Sequence, residues 1–265
     1  MDKNLENINN KLIIPTLKTN KLIYKGKFLS YFVKEFEITN QNKKILTPYE
    51  VIDYNSRCFN QNEIQNEFIG KNNYNIYAVN IIPIIKYSSK PTKLIIVKVF
   101  RYPINKFCLE FPAGFMDKKD IIDSGEDNFE ESIKKAALRE LEEETGYKGK
   151  FINYTSKYFG NNNNLEDQLK LGSNMLFDPW KSSDNAIQCL VEINGDEIGD
   201  KKNQKLDDTE IIEVYEVEVN KLMEFINEKI NKEEVGCTCE LYNFALGYNF
   251  NNILNNIINN WKISY

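Results

Sequence analysis

Polar and apolar residues alternate from Lys21 to Thr39, in "KLIYKGKFLSYFVKEFEIT", with a glycine near the middle. A period of two interrupted by Gly predicts two strands and a turn. "TPYEVIDYNSR" (Thr47–Arg57) extends that small β region, and the polar residues before about position 20 are expected to be mobile. The pattern then changes. "NIYAVNIIPIIKY" (Asn75–Tyr87) and "KLIIVKVFRYP" (Lys93–Pro103) are near-continuous apolar runs joined by "SSKPT". Runs of this kind predict a hairpin in a sheet covered on both faces. "FCLEFPAGF" (Phe107–Phe115) reads as a short strand ending at Pro-Ala-Gly, and Asn185–Glu197 and Thr209–Val219 as later strands. Helical spacing marks Asn128–Gly146, Val219–Ile230 and Cys239–Lys262. The organisation expected is a β-rich region over residues 1–70 followed by an α/β domain over 71–265.

Composition narrows the chemistry. The chain has 265 residues, 42% of them hydrophobic with 16 Phe and 15 Tyr, enough to build a core. With 34 basic and 39 acidic residues the net charge is −5, and neither a nucleic-acid surface nor a membrane is expected as partner. There is no long apolar span and no signal-peptide pattern at Met1–Asn4. Five cysteines without framework spacing point to reduced thiols and the cytoplasm, with the nucleus possible. The absence of histidine excludes Ser-His-Asp, Cys-His and His-ligated metal schemes. Acid–base chemistry must rest on carboxylates, Lys, Tyr or Cys.

One stretch works against its own stability. In "NFEESIKKAALRELEEETG" (Asn128–Gly146), Asn128 suits an N-cap with Glu131 three residues on, a capping box, and Gly146 suits the C-terminal stop. Ile133, Ala137 and Leu141 fall at i, i+4 and i+8 and predict the buried stripe. Glu140 and Glu144 also fall at i, i+4, with Glu143 beside them, at the negative end of the helix dipole. Either this is a solvated acidic face, partly offset by Lys134 and Lys135, or it is a divalent cation site. Several carboxylates without nitrogen or sulfur suit Mg²⁺ or Mn²⁺, and a cation acting on phosphate oxygens would relieve the repulsion. Glu142 is expected to be solvated.

Glu131, seven residues, then Arg139-Glu140-Leu141-x-Glu143-Glu144-x-Gly146-Tyr147 resembles the box of the Nudix hydrolases. That box begins with Gly, five residues, Glu, and Gly125 completes it literally. "LEFPAGF", "RELEEETGYKG", "FDPW", "VEINGDE" and "DTEIIEV" follow the order of the ADP-sugar (ADP-ribose) diphosphatase branch over about residues 70–250. In that branch the Gly of Pro-Ala-Gly is itself the box glycine, which makes Gly114 the rival of Gly125, separated from Glu131 by an insertion over residues 117–128.

The resemblance implies an α/β/α sandwich with a mixed sheet, preceded by a small N-terminal β domain. It implies Mg²⁺-dependent hydrolysis of ADP-ribose or a related ADP-sugar to AMP and a sugar phosphate. Another nucleoside diphosphate derivative, or nucleotide binding without catalysis, is the alternative. It assigns Glu140, Glu143, Glu144 and the Ala113 carbonyl to the metal, with Glu110 nearby, and Arg101 to the diphosphate. Glu210 is the implied general base, with Glu213 as rival. Glu131 and Arg139 are assigned structural roles. Phe28, Tyr49 and Glu50, with Tyr54 near them, match the region that holds the base. A homodimer with exchanged N-terminal β regions is also implied.

Overall fold

A computed structural model describes residues 15–26, 29–40, 43–54, 78–117, 119–120, 129–154, 174–177, 182, 185–199 and 203–262. Contacts divide the chain into two compact units: residues 1–56 with 176–184, and residues 57–175 with 185–265.

The first unit holds an antiparallel sheet of β1 (Thr16–Lys25), β2 (Leu29–Asn40) and β3 (Lys43–Tyr54), in that order. The alternation that predicted two strands and a turn produces β1 and β2. Strand β1 begins earlier than expected. Thr16 and Leu17 pair with Glu37 and Phe36, so Thr16–Asn20 are part of the ladder rather than a mobile lead. Their side chains gave no apolar alternation because all of β1 is exposed.

The second unit is built on a mixed sheet whose main path is β12-β6-β5-β4-β10-β8. Its strands are β4 (Ala78–Lys86), β5 (Lys93–Arg101), β6 (Lys106–Glu110), β7 (Ala113–Phe115), β8 (Lys150–Tyr154), β9 (Asn174–Leu176), β10 (Asn185–Asn194), β11 (Ile212–Glu218) and β12 (Gly236–Cys237). β4 runs parallel to β10, and β12 parallel to β6; β11 pairs antiparallel with β5. The helices are α1 (Phe129–Thr145), α2 (Leu222–Glu233) and α3 (Cys239–Lys262). One core packs Ile133, Ala136, Ala137 and Leu141 of α1 on Val79, Ile81, Ile85, Ile187 and Val191. On the other side, Leu222, Ile226, Leu241 and Ala245 of α2 and α3 pack on Ile82, Leu94, Ile96 and Leu109. Both faces of β4 and β5 are thus covered, which is why their sequences read as unbroken apolar runs. The architecture is the expected α/β sandwich with a mixed sheet, preceded by a small β sheet.

One detail of register positions the site. β4 and β5 pair at Ile84–Leu94 and Ile85–Lys93, next to their hairpin, and then follow different partners. β5 continues with β6, while β4 pairs with β7. The chain passes from one half of the sheet to the other at Phe111-Pro112, where the Pro112 carbonyl accepts from Ile81 N–H. Glu110 therefore ends one half, and Ala113 and Gly114 begin the other.

Candidate active site

The buried stripe of α1 orients its acidic face. Ile133, Ala137 and Leu141 are fully buried. Each contributes about 1–3 kcal/mol by removing apolar surface from water, which fixes the helix rotation. Gly146 stops the helix with φ +73°, and its N–H donates to the Glu142 carbonyl at 2.8 Å. The two following free carbonyls are met from elsewhere. Lys205 N–H donates to the Glu143 carbonyl at 2.8 Å, and Gln204 Nε2 to the Glu144 carbonyl at 2.6 Å. The loop that precedes β11 is in this way docked on the acidic end of α1. Sequence reading missed Gln204 and Lys205, because side chains and loop amides that cap a distant helix leave no periodic signal.

The β6–β7 crossing meets that helix end. Ala113 N–H donates to Glu144 Oε2 at 3.1 Å. Glu144 is 7% exposed. A Cβ placed on Gly114 would lie 2.1 Å from the Glu140 carboxyl carbon. Glycine lets the strand lie against the carboxylate where it stands, whereas a larger residue would displace it. That contact gives Gly114 a physical reason; Gly125, Asn128 and the rest of the capping box lie outside the described residues, apart from Glu131. Glu131 itself accepts from Lys134 Nζ at 3.0 Å.

Arg139 is the hub between the carboxylates. Its Nη1 donates to Glu140 at 2.8 Å and to Glu143 at 2.9 Å. Nε and Nη2 bind the two oxygens of Asp120 at 3.1 and 2.8 Å, and Nη2 also donates to the Phe115 carbonyl at 2.9 Å. Burial opposes the guanidinium charge, but the Asp120 hydrogen bonds and the nearby Glu140 hold its pKa above the ordinary value. Across the crossing, Arg101 grips Glu110 through both nitrogens, Nε at 2.8 Å from Oε1 and Nη2 in a short contact with Oε2. Arg101 remains half exposed while Glu110 is buried.

Glu140 and Glu144 are strained electrostatically. Burial pushes the Glu140 carboxyl up to about 7, opposed by Arg139 and reinforced by Glu143 and Asp117. Burial raises Glu144 well above the carboxylate range, with the charge of Glu140 adding to it; the Ala113 N–H and Arg101 work against the rise. Glu142 is not simply solvated: it accepts from Lys205 Nζ at 2.8 Å, with Lys148 at 3.7 Å.

Glu210 lies in the turn before β11. Its N–H donates to the Asp207 carbonyl at 2.9 Å, and its Oε2 accepts from Asp207 N–H at 2.9 Å. It is exposed, and its charge reaches Glu144 and raises that group's pKa. Glu213 points elsewhere, to Lys98 Nζ at 2.9 Å and the Tyr215 hydroxyl at 2.6 Å. Of the two rivals, Glu210 is the one among the main charges acting on Glu144. Tyr49 and Glu50 are exposed on β3 of the first unit, where Tyr49 packs edge-on against Phe36 at 5.9 Å and Glu50 binds the Tyr31 phenol. Phe28 lies outside the described residues, as does the side chain of Tyr54.

The residues fit a hard divalent cation in kind. Buried Glu144 and partly buried Glu140 repel each other, and carboxylate oxygens suit a hard cation, so the pair gains from a positive charge. The arrangement is not preformed: among the described residues no three His, Cys, Asp or Glu side chains converge on one point. Arg139 and Arg101 hold Glu140, Glu143 and Glu110 instead.

Fold and site define an α/β domain with an acidic cluster of oxygen donors where a helix end meets a strand crossing. The sequence profile of the NUDIX domain matches residues 77–235. The chain belongs to the Nudix family. It is 35% identical over 164 residues to the ADP-ribose pyrophosphatase of Saccharomyces cerevisiae, covering 60% of this chain and 56% of that protein. It is 32% identical over 170 residues to the ADP-sugar pyrophosphatase of Mus musculus, covering 64% and 65% respectively. The matches thus span between half and two thirds of those two relatives. The NUDIX hydrolase structure from Alicyclobacillus acidocaldarius matches 65% of this chain and 90% of its own, at 13% identity and TM-score 0.40.

Proposed function

We propose that this protein hydrolyses the diphosphate of ADP-ribose or a related ADP-sugar, releasing AMP and a sugar phosphate, with Mg²⁺ or Mn²⁺ as cofactor. The observation that carries the reading is the pair of buried Glu144 and partly buried Glu140 set against Ala113 and Gly114, with Arg101 beside it. The names of the yeast and mouse relatives support the substrate class.

Glu140, Glu143, Glu144 and the Ala113 carbonyl would hold the cation, with Glu110 close by. The cation neutralises charge that develops on the phosphate oxygens when it is bound. Arg101 offers its exposed side to those oxygens while Glu110 fixes its plane. Glu210 accepts the proton of the attacking water from an exposed turn docked on α1. Gly114, Glu131, Arg139 and Gly146 shape the frame. Tyr49, Glu50 and Phe28 bind the nucleoside from the N-terminal β region.

The domain order proposed is a β region over 1–70 for dimerisation and substrate, then the hydrolase domain over 71–265. Exposed Leu17, Leu22, Ile23, Tyr24, Ile45 and Leu46 on the first unit favour a homodimer in which that region is exchanged. Free thiols at Cys108, Cys189, Cys237 and Cys239 favour the cytoplasm. Among the described residues no helix is long and apolar enough to cross a membrane.

The experiment is a panel of ADP-ribose, other nucleoside diphosphate sugars and oxidised nucleoside diphosphates, each with Mg²⁺ and with chelator. The reading expects the highest kcat/KM for an ADP-sugar and none with chelator. A clear preference for another base, or turnover unaffected by chelator, would overturn it.

A further inference from the structure

Asp120 lies outside the Nudix box, in the stretch that separates Gly114 from Glu131, and no role attaches to it from sequence. It is 4% exposed. Its carboxylate is gripped on both oxygens by Arg139, and it also accepts from Asp117 N–H at 2.8 Å. Its own N–H donates to the Asp117 carbonyl at 3.0 Å, in a helical stretch after β7. A buried carboxylate this fully hydrogen-bonded is built in, and its main partner is the arginine that contacts Glu140 and Glu143.

Arg139 stands in competition with any cation for those two glutamates. When a cation takes them, the partly buried guanidinium loses two partners and must keep others, since a charge withdrawn from water without a partner is costly. Asp120 and the Phe115 carbonyl are those others. We propose that Asp120 is a positioning residue for cation binding: it holds Arg139 so that Glu140 and Glu143 can be released to the metal. The insertion after β7 thereby supplies a counter-ion to the site. This rests on the reading of Glu140 and Glu143 as metal ligands, but not on the identity of the substrate.

The probe is Mn²⁺ itself, titrated into the full-length protein and followed by the loss of the free-ion electron paramagnetic resonance signal. Substitutions of groups that orient metal ligands typically weaken affinity about 10–100-fold. Asp120→Asn and Asp120→Ala should each raise the Mn²⁺ Kd by about tenfold or more. Their kcat should return to within about twofold of the parent's at saturating Mn²⁺, with KM for ADP-ribose little changed. In an Arg139→Gln background the same Asp120→Asn change should have almost no further effect on Kd, because Asp120 acts through Arg139.

Unchanged Mn²⁺ affinity in both Asp120 variants would overturn the proposal. So would a rate loss that saturating Mn²⁺ does not restore, full additivity with Arg139→Gln, or a parent protein that binds no Mn²⁺. Mn²⁺ binding weakened as expected in a protein that leaves ADP-sugars intact would overturn the substrate assignment and leave Asp120 in its role.

Discussion

Gly114 and Glu140 are packed so closely that a side chain at position 114 would meet the Glu140 carboxylate. Replacing Gly114 by Ala puts a methyl 2.1 Å from the Glu140 carboxyl carbon, so either β7 or the carboxylate must move. A displacement near 1 Å in a catalytic group costs on the order of 10²-fold. We expect Gly114→Ala to lower kcat by that order while far-ultraviolet circular dichroism stays unchanged; an unaltered kcat would remove Glu140 from its assigned place. At this scale the sequence was most legible where spacing carries meaning. The i, i+4 positions of Glu140 and Glu144 put both on one helix face, and the histidine-free composition narrowed acid–base chemistry to carboxylates, Lys, Tyr or Cys. Asp120 was not legible. It meets Arg139 across 19 residues, and no period links the two. Glu142 was misjudged for a similar reason, since Lys205 reaches it from a loop 63 residues away.

Helix α1 and the loop from Gln204 to Glu210 form one working element. The helix C-terminus was read correctly from Gly146, whose left-handed φ of +73° a side chain adopts only with strain. Gly146→Ala should destabilise the protein by about 1–2 kcal/mol, seen as a lower urea midpoint at unchanged m-value. An unshifted midpoint would mean that this helix end is free to rearrange. The loop matters because the exposed Glu210 is held by its own turn, by Gln204 and Lys205 on α1, and by the Thr209 carbonyl, which accepts from the Tyr102 hydroxyl at 3.0 Å. Gln204→Ala, which removes two bonds to the Glu144 and Ile212 carbonyls, should therefore reduce kcat more than it raises KM. Equal kcat with raised KM would assign the loop to substrate binding instead. The long apolar runs of β4 and β5 and the alternation of β1 and β2 predicted their strands. The short β8, β9 and β12 did not show, because strands of two to five residues form only when a neighbour offers its edge.

For the whole molecule, the first unit carries several exposed apolar side chains, the surface that the proposed homodimer would use. Leu46 is 60% and Tyr24 67% exposed. Light scattering should give twice the chain mass, and Leu46→Glu should shift the population toward monomer with loss of activity, if nucleoside binding needs both copies. A parent protein that runs as a monomer would contradict the exchanged arrangement. Mg²⁺ together with a non-hydrolysable substrate analogue should raise Tm, since ligands that bind only the folded state stabilise it. The central claim is that buried carboxylates at the end of α1 hold the cation that opens a diphosphate. Its most direct measurement is ³¹P nuclear magnetic resonance of ADP-ribose incubated with Mg²⁺ and either the parent protein or Glu144→Gln. The account predicts that the parent converts the diphosphate signals to AMP and ribose phosphate, and that Glu144→Gln does so about 10³-fold more slowly, on the order of 4 kcal/mol in the barrier. Intact ADP-ribose in the parent sample, or equal rates in both, would contradict it.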